Sequence, residues 1–395
     1  MKILVYAHRL EVGGTQVNAI ELAASLRDNH GYDPVLFATP GPMESLASSL
    51  RLRYIPAPEP GSHPSPARMR ALRAAVRDEK PDLIHAWDWT QTLDAFYGVH
   101  LPTGLPLLST VMSMGVPRLI PRAVRTTFGT YELLDQARAA GRDRLGLLLP
   151  PVDVHQNAPD PTLGKQFRAT HGLAPDDILV VTVSRLVEHL KLESLRRTVE
   201  AMTTLGAEIP TLRLVIVGDG TARPAIEAQS ATVNEALGRP AIVLTGAMSD
   251  PRPAYAAADV VVGMGGSSLR SLAFAKPTVV VGEQGFAAAF TPSTADRFLY
   301  TGMYGLGDGD EGNRTLIAEI RELATAPSTA ATELGDFSRD FILRNYSLES
   351  VTANLDTLCR ETLTDHSPIR RRATDGLRTA AVRTAGAARD LLPSR

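Results

Sequence analysis

The chain has 395 residues, of which 44% are hydrophobic and 21% are charged, enough for two α/β domains with hydrophobic cores. A formal net charge of −2 and an aromatic content of 5% exclude a globally basic nucleic-acid-binding protein and disfavour a base-stacking one. The single cysteine excludes a disulfide framework and a multi-cysteine zinc site. No apolar run approaches the roughly 20 residues of a membrane span, and the chain opens on a strand pattern, so we expect a cytoplasmic protein.

The first half alternates strand and helix patterns. Residues 2–7 form a buried-strand pattern, followed by a loop at 8–15 and a helix at 16–27 with apolar residues on one face. Further strands are predicted at 34–39, 82–86, 105–112 and 145–149, and a further helix at 67–79. This alternation predicts a doubly wound parallel sheet.

A domain boundary is predicted near residues 150–161, where four prolines interrupt the periodic pattern. The second half then repeats the same alternation. Its predicted strands are 178–184, 213–217, 241–245, 260–262 and 278–281, and its predicted helices are 192–205, 224–237, 253–258 and 316–323. The chain therefore predicts two α/β domains in series, and ligands of such sheets bind beyond the carboxyl ends of the strands.

The C-terminal part differs in composition. Residues 343–363 form a helical pattern, and the segment after it is rich in arginine and alanine. Its charged residues are Asp365, Arg370, Arg371, Arg372, Asp375, Arg378, Arg383, Arg389, Asp390 and Arg395. A solvated basic tail and a weak contact with an anionic membrane surface are both compatible with this pattern.

Residues 258–286 read as a strand, a glycine-rich turn, a helix and a second strand. Gly263, Gly265 and Gly266 remove side chains where a ligand could approach the backbone, and Ser267 and Ser268 are good N-cap residues. A helix start of this kind suits an anion such as phosphate. An ordinary turn with packing glycines is the alternative interpretation.

A pair of cations follows the predicted strand at 178–184. Arg185 comes directly after this strand, and Lys191 lies six residues further on. Two fixed positive charges at the end of a strand suit a diphosphate and could stabilise a phosphate leaving group. The alternative is a pair of surface cations balanced by Glu188 and Glu193.

Three other turns are weaker signals. Gly13 and Gly14 lie between a strand and a helix but do not form the GxGxxG dinucleotide pattern. The run VIVGDG at 215–220 ends a strand in a tight turn, and the run LTGAM at 244–248 could present backbone groups to a planar base.

The order of these motifs resembles that of the GT-B glycosyltransferases, in particular the retaining, family 4-like group that uses nucleotide sugars. The resemblance covers residues 1–363 and rests on SRL with Lys191, VIVGDG, LTGAMSD, YAAADVVVGMG and LAFAKPTVVVG, with GGTQVNAIELA, PDLIHAWDW and LPPVDV in the first half.

This resemblance implies a GT-B fold, in which two Rossmann-like, doubly wound parallel-sheet domains face each other across a cleft. The implied divisions are an acceptor domain at 1–160, a nucleotide-sugar donor domain at 161–340, C-terminal helices at 341–364 that could cross back to the first domain, and a basic, flexible tail at 365–395. The implied reaction transfers a sugar from a nucleotide sugar, by default a UDP-sugar, to an unidentified acceptor hydroxyl with retention. The nucleotide sugar is a substrate, and no cofactor or metal is expected.

The resemblance also implies roles for residues. Arg185 and Lys191 would stabilise the leaving diphosphate, Ala247 and Met248 would lie near the base, and the turn at 263–266 would lie near the donor sugar. The complete set of expected donor-binding residues is Gly13, Gly14, Arg185, Lys191, Gly218, Ala247, Met248, Gly263, Met264, Gly265, Gly266, Ser267, Ser268, Arg270 and Glu283. His85 and Asp88 follow another strand pattern as further catalytic candidates, each with a structural role as the alternative.

The chain departs from the group at both glutamate positions of the donor-sugar turn and at one histidine position. Where the group has two glutamates around the donor-sugar turn, this sequence has Val262 and Arg270, and arginine cannot accept a hydrogen bond. Glu283 could supply a carboxylate from the next loop. The usual histidine after the strand at 105–112 is also replaced, by the run 112–114. A non-catalytic or regulatory nucleotide-sugar-binding protein is therefore the alternative function.

Overall fold

The computed structural model describes residues 1–365 and 367–390, and the chain forms two compact units. Unit 1 comprises Met1–Pro151 and Leu348–Arg395, and unit 2 comprises Val152–Ser347. The observed divisions differ from the expected ones, because residues 152–160 and 341–347 belong to unit 2. The chain thus enters unit 2 once and returns to unit 1 for its last helices.

Unit 1 is built on a parallel sheet in which the strand order is β3-β2-β1-β4-β5-β6-β7. The strands are β1 (Lys2–Tyr6), β2 (Asp33–Ala38), β3 (Arg53–Pro56), β4 (Leu83–Trp87), β5 (Leu107–Val111), β6 (Arg125–Phe128) and β7 (Leu145–Leu147). Strands β1, β4 and β5 are neighbours near the centre, in parallel register. Their apolar, mostly buried residues are typical of strands covered on both faces.

The helices of unit 1 are α1 (Gly14–His30), α2 (Glu44–Ser49), α3 (Pro66–Glu79), α4 (Asp88–Ala95), α5 (Leu101–Thr103) and α6 (Tyr131–Ala139) before the crossing to unit 2. A π-helical turn, Phe96–His100, joins α4 to α5. Packing of these helices buries a core that contains Tyr6, Phe37, Leu72 and Phe96.

Unit 2 has a sheet in the order β10-β9-β8-β11-β12-β13. Its strands are β8 (Ile178–Val183), β9 (Leu212–Val217), β10 (Ile242–Gly246), β11 (Val260–Gly263), β12 (Thr278–Val281) and β13 (Ala287–Ala289). All pairs are parallel except β12 with β13. The carboxyl ends of β8, β11 and β12 therefore lie side by side at one edge of the sheet.

The helices of unit 2 are α7 (Pro161–Thr170), α8 (Leu192–Glu208), α9 (Arg223–Leu237), α10 (Arg252–Ala257), α11 (Gly266–Ala273), α12 (Ala295–Thr301), α13 (Arg314–Ala324) and α14 (Ser328–Asn345). A 3-10 turn, Glu311–Asn313, precedes α13. The single helix predicted at 343–363 is interrupted at the crossing between the two units, where α14 ends and the next helix begins.

Two helices complete unit 1, namely α15 (Leu348–Thr364) and α16 (Ile369–Asp390). α15 packs on α1, where the Thr352 hydroxyl donates to Ser25 Oγ at 2.8 Å and the Tyr32 hydroxyl donates to Asp356 Oδ1 at 2.7 Å. The segment expected to be a flexible tail is thus helical over Ile369–Asp390, and residues 391–395 of that expectation lie outside the described residues. Within the described part of the chain, no helix is long and apolar enough to cross a membrane.

Candidate functional site

The unit 2 site is assembled at the carboxyl ends of β8, β11 and β12. The loop after β8 carries Arg185 and Lys191, the turn after β11 carries Gly265, and the loop after β12 carries Glu283. Because these strands are parallel neighbours, the loops that follow them lie at the same edge of the sheet. The structure therefore places the cation pair, the glycine-rich turn and Glu283 at the same edge of this sheet.

Arg185 and Lys191 form an unneutralised positive centre. Arg185 is exposed, while Lys191 is half-buried at the N-cap of α8. Burial, and next the charge of Arg185, lower the pKa of Lys191 from its ordinary value to about 8. Among the described residues, neither side chain has a hydrogen-bond or ion-pair partner. The start of α8 adds free N–H groups here, so this arrangement suits an anion.

The acids proposed to balance these cations do not do so. The Glu193 carboxylate accepts hydrogen bonds from the backbone N–H of Gln284 at 3.0 Å and of Gly285 at 2.7 Å. It therefore ties the start of α8 to the loop after β12. Glu188 is exposed and forms no ion pair with either cation within the described residues. The geometry favours the anion-site interpretation over that of neutralised surface cations.

Gly218 shapes the loop that carries Arg185. Its φ is +146°, and a Cβ at this position would lie 1.8 Å from the carbonyl oxygen of Ser184. The neighbouring Asp219 carbonyl accepts from the Leu186 N–H at 2.9 Å, and Leu186 accepts from Ala222 at 2.8 Å. The VIVGDG turn thus holds the backbone on both sides of Arg185, which gives Gly218 a positioning role.

The glycine-rich turn after β11 presents open backbone. Gly265 is the N-cap of α11 with a φ of +59°, and its N–H donates to the Met303 carbonyl at 2.6 Å. Nothing lies within 4 Å of a Cβ built on Gly265, and Gly266 is exposed. Met264 is only 7% exposed, and its side chain packs into the core and not on the open side of the turn.

The expectation that Ser267 and Ser268 cap this helix is wrong. α11 begins at Gly266, so both serines lie inside its first turn, and Gly265 makes no side-chain cap bond. The Ser267 hydroxyl is 3.1 Å from the Tyr255 hydroxyl, which donates to it. Ser268 Oγ is buried without a hydrogen-bond partner among the described residues.

Glu283 is held by a tyrosine that sequence reasoning missed. The Tyr304 hydroxyl donates to Glu283 Oε2, and burial together with this carboxylate raises the pKa of Tyr304. The Glu283 N–H donates to the Gly305 carbonyl at 3.1 Å, and the Glu283 carbonyl accepts from the Gly307 N–H at 3.0 Å. A single sequence gives no signal for this pairing, because Tyr304 lies two segments further along the chain.

The turn expected to contact a base lies after β10. Ala247 is exposed, and Met248 packs partly against the buried cluster that contains Tyr255 and Phe274. In the same segment, Asp250 accepts from Arg252 at 2.6–2.9 Å, and Arg252 lowers the pKa of this carboxyl. The exposed backbone at Ala247 is therefore fixed by well-packed neighbours.

Unit 1 contributes the Gly13 and Gly14 turn. Gly13 is the N-cap of α1 in an extended conformation, and its carbonyl accepts from Val17 at 3.1 Å. Nothing lies within 4 Å of a Cβ built on Gly14. The start of α1 thus has open backbone, as the start of α11 does.

His85 and Asp88 differ sharply in environment. His85 is 1% exposed, its Nε2 lies 2.7 Å from Thr110 Oγ1, and burial lowers its pKa to about 3. This favours the structural alternative for His85. Asp88 is the first residue of α4, with a φ of +68°, a strained value for a residue other than glycine.

A histidine that the sequence analysis did not select lies beside Asp88. His8 Nε2 is 3.8 Å from Asp88 Oδ2, and 30% of the His8 side chain is exposed. His8 follows β1 as Asp88 follows β4, and β1 pairs with β4 in parallel. His8 and Asp88 both follow strands, but the sequence alone does not show that these two strands are neighbours in the sheet.

Comparisons with known proteins place this geometry in a family. The model of Glycosyltransferase Family 4 matches residues 12–181, and that of Glycosyl transferases group 1 matches residues 177–302. The chain belongs to the GT-B glycosyltransferases, in the family 4-like group. No curated protein matches the sequence of this glycosyltransferase.

Solved structures confirm the GT-B fold. A glycosyltransferase from Rickettsia africae has a TM-score of 0.73 at 14% identity, over 92% of this chain and 98% of its own. Anabaena HepE in complex with UDP has a TM-score of 0.68 at 15% identity, over 92% and 100%. Sucrose-phosphate synthase from Thermosynechococcus elongatus has a TM-score of 0.66 at 17% identity, over 92% and 99%.

The two replaced glutamate positions have different structural environments in this glycosyltransferase. Val262 lies inside β11, pairs with Val279 and is 1% exposed, so its side chain packs in the core of unit 2. Arg270 is half-buried in α11 and donates to the Gly266 carbonyl at 3.4 Å. Arg270 therefore adds positive charge beside the start of α11.

Proposed function

We propose that this glycosyltransferase moves a sugar from a UDP-sugar to an acceptor hydroxyl with retention of the anomeric configuration. The observation that carries the proposal is the unpaired Arg185 and Lys191 at the start of α8. A diphosphate would supply the negative charge that this centre lacks and would accept charge-assisted hydrogen bonds from both side chains.

Uridine as the base is supported by a neighbour in structure. Anabaena HepE has been solved with UDP and with UDP-glucose. In this chain the exposed backbone at Ala247 would receive the base, with Met248 beneath it. The sugar would lie against the open backbone of Gly265 and Gly266.

Two charged side chains are assigned to the rest of the donor. Glu283 would accept from a sugar hydroxyl through Oε1, because Tyr304 occupies its other oxygen. Arg270 would meet a phosphate or a carboxylate, since a guanidinium only donates. This assignment predicts a preference for donors with additional negative charge.

The proposed chemistry needs no nucleophile from the protein. The bond between the anomeric carbon and the diphosphate oxygen breaks, and the acceptor oxygen bonds to that carbon on the same face. The acceptor proton passes to the departing diphosphate oxygen. Arg185 and Lys191 stabilise the negative charge that develops on this leaving group.

Asp88 is the proposed acceptor-orienting residue of unit 1. Its carboxylate accepts from the Trp89 N–H at 2.8 Å and retains capacity for an acceptor hydroxyl. His8 beside it would hold the carboxylate in place. His85 has no part in this proposal, because its side chain is buried.

The test combines donor screening with a matched pair of variants. Thermal-shift measurements with UDP, GDP and ADP and their sugars should show the largest stabilisation with a uridine ligand. Arg185→Ala should lower transfer or slow donor hydrolysis by about 30- to 1,000-fold, equivalent to about 2–4 kcal/mol. Arg196→Ala, which removes an exposed arginine of helix α8, should leave both unchanged.

The stereochemical part has its own readout. Proton NMR of the sugar first released from an α-linked donor should show the α anomer. Early release of the β anomer would contradict retention, even if UDP binding and the Arg185 effect were as expected.

A non-catalytic nucleotide-sugar-binding protein remains the second candidate, because Val262 and Arg270 replace the acids of the group. This candidate predicts UDP binding that depends on Arg185 with neither transfer to acceptor extracts nor donor hydrolysis. Turnover that disappears in Arg185→Ala would exclude it.

A further inference from the structure

Helix α16 is fixed to unit 1 by one of its faces. The Tyr97 hydroxyl donates to the Gly376 carbonyl at 2.8 Å, and the Arg372 guanidinium donates to the His100 carbonyl at 3.1 Å. The buried Asp375 carboxylate accepts from the Ala123 N–H at 2.6 Å. These contacts set which face of α16 is turned outward.

Two large apolar side chains lie on the outward face of α16. Ile369 is 63% exposed and Leu377 is 75% exposed, the two highest values among the exposed large hydrophobic side chains of the described residues. The exposed residues Ala373 and Ala380 continue the same stripe, because they follow at intervals of three or four residues. This outward stripe has no partner within the described part of the chain.

Arginines lie on both sides of the apolar stripe. On a helix of 3.6 residues per turn, Arg383 falls on one side, and Arg370 and Arg378 fall on the other. Arg370 and Arg383 are exposed and have no ion-pair partner among the described residues.

A basic groove adjoins this face of the helix. The groove has a volume of about 490 Å³, and Arg122, Arg370, Arg371 and Arg378 line it. Its two acids are already engaged, since Asp143 accepts from Arg371 at 2.7 Å and Asp375 accepts from Arg378 at 2.8 Å. The groove therefore keeps an excess of guanidinium donors.

We propose that the outward face of α16 docks unit 1 on an anionic lipid bilayer. Ile369 and Leu377 would enter the boundary between headgroups and acyl chains, and the arginines would bind lipid phosphates bidentately. Two large apolar side chains bury little area, so docking is reversible and depends on the anionic lipid.

The charge of this face favours a bilayer over a second copy of the chain and over a nucleic acid. A second copy docked on the same face would bring Arg370 and Arg383 against the same residues of its partner, and like charges repel. A nucleic acid would satisfy the arginines but would leave Ile369 and Leu377 in contact with phosphates. A bilayer with anionic headgroups satisfies both components, and this proposal does not depend on the donor chemistry of unit 2.

The test is co-sedimentation of the full chain with vesicles. One set contains phosphatidylcholine alone and the other contains about 30% phosphatidylglycerol. We expect binding to the anionic vesicles only, weakened by salt. The Arg370→Glu and Arg383→Glu double variant should weaken binding about 30-fold, and the Ile369→Ser and Leu377→Ser double variant about tenfold.

A control variant isolates position from net charge. Lys165→Glu with Arg196→Glu changes two exposed cations of unit 2 by the same total charge and should bind like the wild type. The intrinsic fluorescence of Trp87 and Trp89, both in unit 1, checks that each variant is folded. Equal binding to neutral and anionic vesicles would overturn the proposal, as would equal loss in the control variant, or a solution dimer that Leu377→Ser abolishes.

Discussion

The two units treat selected polar groups in different ways. In unit 2, Arg185 and Lys191 are left without partners in the described residues, although Lys191 is partly buried. In unit 1, His85 is bonded to Thr110 Oγ1, which lies 2.8 Å from Thr127 Oγ1. A partly buried charge without a partner destabilises the fold and therefore indicates a ligand site. A buried side chain whose hydrogen bonds are made within the protein indicates a structural role.

The largest effect is expected from a substitution in the turn that supports Arg185. Gly218→Ala would place Cβ against the Ser184 carbonyl at a φ of +146°, so the turn must move. We expect a loss of about 2–4 kcal/mol in the free energy of unfolding of unit 2, with loss of UDP binding. Urea unfolding followed by far-UV circular dichroism measures the first, and calorimetry the second.

Gly238→Ala is the matched control for that variant. Gly238 also has a positive φ, of +64°, but nothing lies within 4 Å of a Cβ built on it. It should lose about 1 kcal/mol and keep UDP binding. Equal effects of the two variants would show that Gly218 does not position Arg185.

Lys191→Met tests whether the unpaired lysine lowers stability while it contributes to UDP binding. The pKa of Lys191 is about 8 when folded and ordinarily 10.5, so the unfolded chain binds its proton more tightly. Below pH 8, Lys191 is charged in both states, and its full destabilising effect on the folded unit 2 is present. As the pH rises from about 8 towards 10.5, only the folded state loses the proton, and the free energy of unfolding increases. The variant should gain about 1–2 kcal/mol at neutral pH, lose this pH dependence and bind UDP at least about tenfold more weakly.

The control for Lys191 is an exposed lysine in the same unit. Lys165→Met should change neither the pH dependence nor UDP binding, because Lys165 lies on the surface of α7. A Lys191→Met variant that binds UDP like the wild type would remove the central observation of the proposed function.

His85→Gln tests the unit 1 side of the comparison, with the smallest expected effect. Burial lowers the folded pKa of His85 from 6.5 to about 3, so only the unfolded chain gains a proton as the pH falls through this range. Stability of unit 1 should fall by about 1 kcal/mol per pH unit below 6.5, and His85→Gln should flatten that slope.

Tryptophan fluorescence is the measurement for this prediction, because both tryptophans lie in unit 1 and the His85 and Trp87 rings are 4.9 Å apart. His189→Gln, an exposed histidine of unit 2, should leave the slope unchanged. A pronounced loss of turnover with unchanged stability in His85→Gln would instead return His85 to the catalytic candidates.

The sequence was sufficient to predict most of the fold, because buried parallel strands are apolar runs. β6 was not predicted, because it is a buried strand without an apolar run. Its residues Thr126 and Thr127 are polar, yet both are fully buried, since the Thr126 hydroxyl donates to the Val124 carbonyl and the Thr127 hydroxyl bonds to Thr110 of β5. β3 was missed because it is a short edge strand that ends in proline.

Residue type and spacing were enough to select candidate site residues, but contacts between distant segments could not be predicted. Arg185 and Lys191 were recognised as cations after a strand. The roles of Glu193 and Tyr304 depend on the loop after β12, which no local pattern reveals. The expected serine caps were wrong because α11 starts at Gly266, two residues before the first position that a cap at Ser267 would give.

The return of the chain to unit 1 has a consequence for biosynthesis. Unit 2 is continuous in sequence and can fold as soon as it leaves the ribosome, whereas the surface of α1 waits for α15, whose Thr352 and Asp356 bond to it and to Tyr32. Until the last helices are synthesised, the nascent first half lacks the helix that covers one face of α1. Chaperone demand during translation should therefore fall on the amino-terminal half, even though it is made first.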